Sequence, residues 1–131
     1  MKKVLFVCVE NSCRSQMADG FARVLGEGKV KSCSAGSRPS GKVNPEAIKV
    51  MEEAGIDISG QQSKGFYDLG IKDFDYVITM GCKDTCPFVP AKKHIDWQIE
   101  DPKGKGEDFF RKTRELIKEK VEQLIIHLLE R

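Results

Sequence analysis

The stretch "VLFVCVENSCRSQMADGF", residues 4–21, decides the fold. Its apolar run from Val4 to Val7 has the length and composition of a strand buried on both faces. Glu10, Asn11 and Ser12 interrupt the apolar run, and from Met17 onward apolar residues return at helical spacing with Phe21, Val24 and Leu25. Gly26 ends that helix, and Gly20 weakens its middle. A strand, a short loop and a helix in this order place Cys8 at a strand's carboxyl end, facing a helix N-terminus. Such an end offers unpaired N–H groups and the positive end of the helix dipole, which suit an oxyanion and equally favour a thiolate. Arg14 adds a planar cation able to hold a tetrahedral oxyanion through two N–H groups. Ser15 can donate a hydrogen bond to the sulfur. Asn11 tolerates the left-handed backbone that a loop curling its N–H groups inward requires.

The rest of the chain continues the alternation. "KVKSCSAG" (29–36) reads as a second strand, closed by the loop composition of "GSRPSGK" (36–42). Asn44 followed by Pro45 is a helix N-cap with proline at the first helical position. Ala47, Ile48, Met51 and Ala54 form that helix's buried stripe, and Gly55 stops it. Residues 55–70 alternate briefly at Ile56 and Ile58, then read as loop with one short helix. "FDYVITMG" (74–81) is a third strand, and a short fourth lies near His94 and Ile95. From Glu107 to Leu129 a long amphipathic helix aligns Phe110, Thr113, Ile117, Val121, Leu124 and Leu128. The order β-α-β-α-β-β-α predicts a single α/β domain over residues 1–131, a parallel sheet covered by helices on both faces.

Length and composition agree. The chain has 131 residues, enough for one core, with 40% apolar and 32% charged residues. The formal net charge of +2 gives no reason to expect nucleic acid or a membrane as partner. No apolar run reaches the roughly 20 residues of a membrane helix, and the start "MKKVLFVCVEN" lacks a signal peptide's apolar length. A cytoplasmic, monomeric protein is expected. Its five cysteines, Cys8, Cys13, Cys33, Cys82 and Cys86, are odd in number and lack a secretory context. They therefore read as reactive or metal-binding rather than as a disulfide framework. Cys13 and Cys33 read as small buried residues, and Trp97 as a core aromatic.

"CVENSCRS" (8–15) resembles the phosphate-binding loop of the low-molecular-weight protein tyrosine phosphatase fold, a cysteine followed after five residues by Arg-Ser. Ending in Asn-Ser-Cys-Arg-Ser and followed by "QMADGFAR", it is most similar to the thioredoxin-coupled arsenate reductases built on that fold. The likeness continues through "SAGS" (34–37), "NPEAIKVMEEAGIDIS" (44–59), "VITMGCKDTCPFVP" (77–90) and "DWQIEDP" (96–102). It implies a four-stranded parallel sheet with Cys8 as nucleophile, Arg14 as oxyanion binder and Asp101 as general acid. Asn11, Ser12, Cys13, Arg14 and Ser15 would form the oxyanion-binding loop. By the residues alone, Asp101-Pro102 is an ordinary turn dipeptide, and Glu100 competes for the acid's task.

Cys82 and Cys86 separate two chemistries. A phosphatase needs one thiol, forming a Cys8 thiophosphate that water cleaves. A reductase must supply two electrons and needs a second thiol. The third strand's carboxyl end lies on the same side as that of the first, so both thiol groups can face one site. The implied relay runs from Cys8 to Cys82 to Cys86, recharged by a thioredoxin-like protein, with arsenate as substrate and phosphate or sulfate as competing oxyanions. The expected role is arsenic detoxification, and no cofactor is expected. Two departures from the family pattern stand out. Only three residues separate Cys82 from Cys86, fewer than in the better-known members. Aligned on "VITM", the family's first recycling cysteine falls on Gly81. A low-molecular-weight thiol or another redoxin would then resolve the Cys8 adduct. The rival readings are a phosphatase for phosphate monoesters and a zinc site of Cys82, Cys86 and His94, which lacks a fourth ligand.

Overall fold

The computed structural model describes residues 1–70, 72–81 and 89–129. Four strands, β1 (Lys2–Cys8), β2 (Val30–Gly36), β3 (Phe74–Thr79) and β4 (Ala91–Asp96), form one parallel sheet in the order β2-β1-β3-β4. The register pairs Cys8 with Gly36 across β1–β2, Val7 with Thr79 across β1–β3, and Thr79 with Asp96 across β3–β4. Every strand therefore ends on one side of the molecule. The chain steps from β1 outward to β2, then returns past β1 to β3. The carboxyl end of β1, where Cys8 sits, is thus the switch point of the sheet, where open α/β sheets bind their ligands.

Three α-helices accompany the sheet: α1 (Arg14–Leu25), α2 (Pro45–Glu53) and α3 (Glu107–Leu129). β1 alternates as a doubly buried strand must. Val4, Phe6 and Cys8 face a cluster built with Met17, Phe21, Met51, Phe110 and Ile117, whereas Leu5 and Val7 face a smaller cluster with Ala35, Phe74 and Val77. All three α-helices contribute to the first cluster. Among the described residues, the second face is covered by a 3-10 turn, Phe66–Asp68, and its neighbours Leu69 and Val89. The expected helices on both faces are not found among the described residues: all three α-helices bury their apolar stripes against one face, and the shorter 60–69 segment lines the other.

Local expectations hold in most places. Asn44 Oδ1 accepts from the Glu46 N–H at 2.8 Å, capping α2 ahead of Pro45, and all six residues of the α3 stripe are buried. Three details differ. Val24 and Leu25 are exposed, at 48% and 41%, because α1 is enclosed on all sides from Arg14 to Ala22 and then emerges. In α2 it is Val50, not Ala54, that completes the buried stripe. Gly26 does not take the left-handed cap conformation (φ −105°). It is needed for space, since a Cβ would lie 2.9 Å from both the Ala22 carbonyl oxygen and the Val30 Cβ. Among the described residues no helix is long and apolar enough to cross a membrane.

Candidate active site

The loop between β1 and α1 wraps into a cradle held from three directions. Asn11 has φ +51°, the left-handed geometry anticipated for it. Its Oδ1 accepts from the Lys64 N–H and from Gln16 Nε2, both at 2.9 Å. That fixes the amide orientation, so Asn11 Nδ2 must donate, and it does so to Ser15 Oγ at 2.7 Å. Ser15 Oγ lies 2.8 Å from Cys8 Sγ, and when the sulfur is a thiolate only the hydroxyl can donate across that contact. A chain of two hydrogen bonds thus runs from Asn11 through Ser15 to the sulfur.

The backbone of the loop is pinned as well. The N–H groups of Arg38, Ser40 and Asn44 donate to the carbonyls of Val9, Glu10 and Ser12, at 2.8, 3.0 and 3.0 Å. Gly36 permits this approach, because a Cβ there would sit 2.6 Å from the Val9 carbonyl oxygen. Cys13 is the N-cap residue of α1 and provides no side-chain cap. The first-turn N–H groups of α1 therefore stay available to a ligand anion.

Arg14 is buried. Its Nη1 donates to the Ile99 carbonyl at 2.9 Å, and its Nη2 lies 3.8 Å from Asp101 Oδ2. Its Nε is buried without a partner, a donor left over for an anion in the cradle. Gly81, at φ +82°, lies close beside the guanidinium, and any Cβ there would collide with Arg14 Nη1. Asp101 is half-exposed, and its Oδ1 accepts from the Lys103 N–H at 3.1 Å. Glu100 instead pairs with Lys105, so of the two acids Asp101 is the one beside Arg14.

The remaining thiols divide as follows. Burial pushes the Cys13 thiol up to about 12, outweighing its hydrogen bond to Ser12, and burial together with Asp19 raises Cys33 to about 11. At neutral pH both stay protonated and poorly nucleophilic. Cys82 and Cys86 lie outside the described residues. Trp97 is a core aromatic, with its ring centroid 5.9 Å from that of Phe6. His94 Nε2 bonds the Val89 carbonyl at 2.6 Å. Among the described residues no group of three or more potential ligands is placed to hold a metal.

Sequence reasoning missed the supports of the cradle. Gln16, Gln61, Gln62 and Lys64 brace it from outside. Gln16 Nε2 also donates to the Asn11 and Gln62 carbonyls, at 3.0 and 2.9 Å, and Gln61 Nε2 donates to Gln16 Oε1 at 2.7 Å. The available signal was the polar run "GQQSKG" (60–65), too hydrophilic for a core yet followed by apolar residues.

The sequence matches the low molecular weight phosphotyrosine protein phosphatase family over residues 3–131. It is 50% identical over 128 residues, covering 95% of this chain and 97% of the relative, to a glutaredoxin arsenate reductase of Synechocystis sp.. A solved structure of an arsenate reductase in its phosphate-binding state superposes with a TM-score of 0.88 at 47% identity, covering 98% of this chain and 99% of that one. The thioredoxin-dependent arsenate reductase Cg_ArsC1' of Corynebacterium glutamicum gives a TM-score of 0.80 at 34% identity, covering 98% of this chain and 62% of that chain. With Cys8 at the switch point and relatives that carry the arsenate reductase name over nearly its whole length, this chain belongs to the low molecular weight phosphotyrosine protein phosphatase family.

Proposed function

We propose that this enzyme reduces arsenate to arsenite through a relay of thiols that begins at Cys8. The observation that carries the proposal is the Cys8 sulfur at the floor of an anion cradle whose Arg14 retains a buried, unpaired N–H. In the first step the Cys8 thiolate attacks arsenic(V), an As–S bond forms, and one arsenate oxygen leaves as water with the proton of Asp101. Cys82 then attacks Cys8 Sγ. The electron pair of the As–S bond passes to arsenic, arsenite leaves, and a Cys8–Cys82 disulfide remains. Cys86 attacks Cys82, releases the Cys8 thiolate and closes a Cys82–Cys86 disulfide. A dithiol protein of the thioredoxin or glutaredoxin kind reduces that bond. The names of the relatives support both classes of reductant, one being called a glutaredoxin and another a thioredoxin-dependent enzyme.

The same cradle suits phosphate, and the family name makes hydrolysis of a phosphate monoester the second reading. Such hydrolysis has no use for Cys82 or Cys86. Turnover with arsenate, followed as reductant consumed through a thioredoxin or a glutaredoxin system, separates the two. Cys8→Ser is expected to abolish turnover, and Cys82→Ser and Cys86→Ser to reduce it at least about 100-fold. Parent-like turnover of both recycling variants would remove the relay, and retained activity of Cys8→Ser would remove the entire scheme.

A further inference from the structure

Asp101 reaches the cradle on the loop between β4 and α3, between the Ile99 carbonyl that accepts from Arg14 and an exposed stretch from Lys103 to Gly106. Its side chain is half-exposed and lies no nearer to Arg14 than 3.8 Å. The loop that carries it contains Gly104 and Gly106, both at positive φ, and such a chain loses much conformational freedom when ordered. One residue of this loop bonds in two directions. The main-chain N–H of Lys103 donates to Asp101 Oδ1 at 3.1 Å, while its ammonium reaches Glu10 Oε1 at 2.9 Å, 93 positions away. Glu10 belongs to the cradle and is itself anchored, because its carbonyl accepts from the Ser40 N–H at 3.0 Å and from Ser63 Oγ at 2.9 Å. Glu10 also holds the Lys103 ammonium above its ordinary range. A neighbouring pair, Lys105 with Glu100, closes within the same loop and makes no connection to the cradle.

We propose that the Lys103–Glu10 pair is a clamp that draws the Asp101 loop onto the cradle and sets the acid's distance from the departing oxygen. Lys103 and Glu10 are positioning residues in this scheme, since neither need touch the substrate. An exposed ion pair adds little to global stability. Its effect lies in where it holds the acid, because proton transfer requires hydrogen-bond reach between acid and leaving oxygen. The clamp rests on the reading of Asp101 as proton donor.

Single-turnover arsenite formation over a range of arsenate concentrations tests it in the parent, Glu10→Gln, Lys103→Met, the charge swap Glu10→Lys with Lys103→Glu, and Asp101→Asn. Each single clamp variant is expected to lose about three- to tenfold in rate at saturating arsenate, with the half-saturating concentration changed by less than about twofold. The charge swap is expected to recover most of the rate, and the loss of rate without a change in half-saturation is what a merely structural role would not produce. Parent-like rates in both single variants beside an impaired Asp101→Asn would overturn the clamp alone. A swap as slow as the single variants would also overturn it. A parent-like Asp101→Asn would instead remove the acid assignment beneath it.

Discussion

At the scale of single residues, the phosphate loop was the most legible part of the molecule. Cys8, Asn11 and Ser15 join in one hydrogen-bonded chain at the strand–loop–helix junction, and Arg14 is buried there beside Asp101. What the sequence could not show is the space around them. Gly81 looked like the residue where a recycling cysteine was absent. The structure gives it a task of its own, because its bare backbone is the surface against which Arg14 lies. A side chain there meets the guanidinium, and φ +82° disfavours any Cβ in any case. Gly81→Ala is therefore expected to weaken phosphate binding at least about tenfold in calorimetric titration, the scale of a lost charged hydrogen bond, with far-UV dichroism unchanged. Unaltered affinity would show that Arg14 does not depend on this contact.

At the scale of elements, legibility followed exposure. The stripe of α3 could be read because its other faces meet water, so periodicity carries information. In α1 every residue from Arg14 to Ala22 is enclosed, and periodicity there says nothing about which side faces the sheet. Gly20, which weakens the helix by propensity, turns out to be demanded by packing: a Cβ would lie 2.7 Å from Ile58 Cγ2. The joint between α2 and α3 was invisible in the sequence. Glu53 accepts a two-pronged bond from Arg111, at 3.0 and 2.9 Å, and a third from Arg114 at 3.0 Å. Arg111 is the leading cause that holds the Glu53 carboxyl down at about 2. A lowered folded-state value means that this contribution to stability is present above the ordinary glutamate range of about 4.3 and is lost as pH falls through about 2. Glu53→Gln is expected to lower the urea midpoint at pH 7 by a small amount and to converge with the parent near pH 2. A difference independent of pH would contradict that assignment.

At the scale of the whole molecule, an all-parallel sheet gathers four strand ends at one rim, and this much followed from the β-α-β order alone. The unequal covering of its two faces did not follow, because the polar-then-apolar pattern of "GQQSKGFYDL" (60–69) does not say which face its apolar residues line. This segment covers the second face through Phe66 and Leu69. It also supplies the cradle with the Lys64 N–H, the Gln62 carbonyl and the Ser63 hydroxyl. Among the described residues its only regular element is a single 3-10 turn. Segments so built open at a fraction of the free energy of global unfolding, as separate cooperative units. When this one opens, Asn11 Oδ1 loses the Lys64 N–H, and the amide that leads the hydrogen-bond chain to Cys8 is held by Gln16 alone. Amide exchange at 60–69 is therefore expected to outpace that of β1 by at least about tenfold, and arsenate turnover to fail at lower urea than the sheet's dichroism. Coincident transitions would contradict this. The denaturation of catalysis and the denaturation of the protein thus become two events, and the span between them measures how far the enzyme's working range falls short of its structural one.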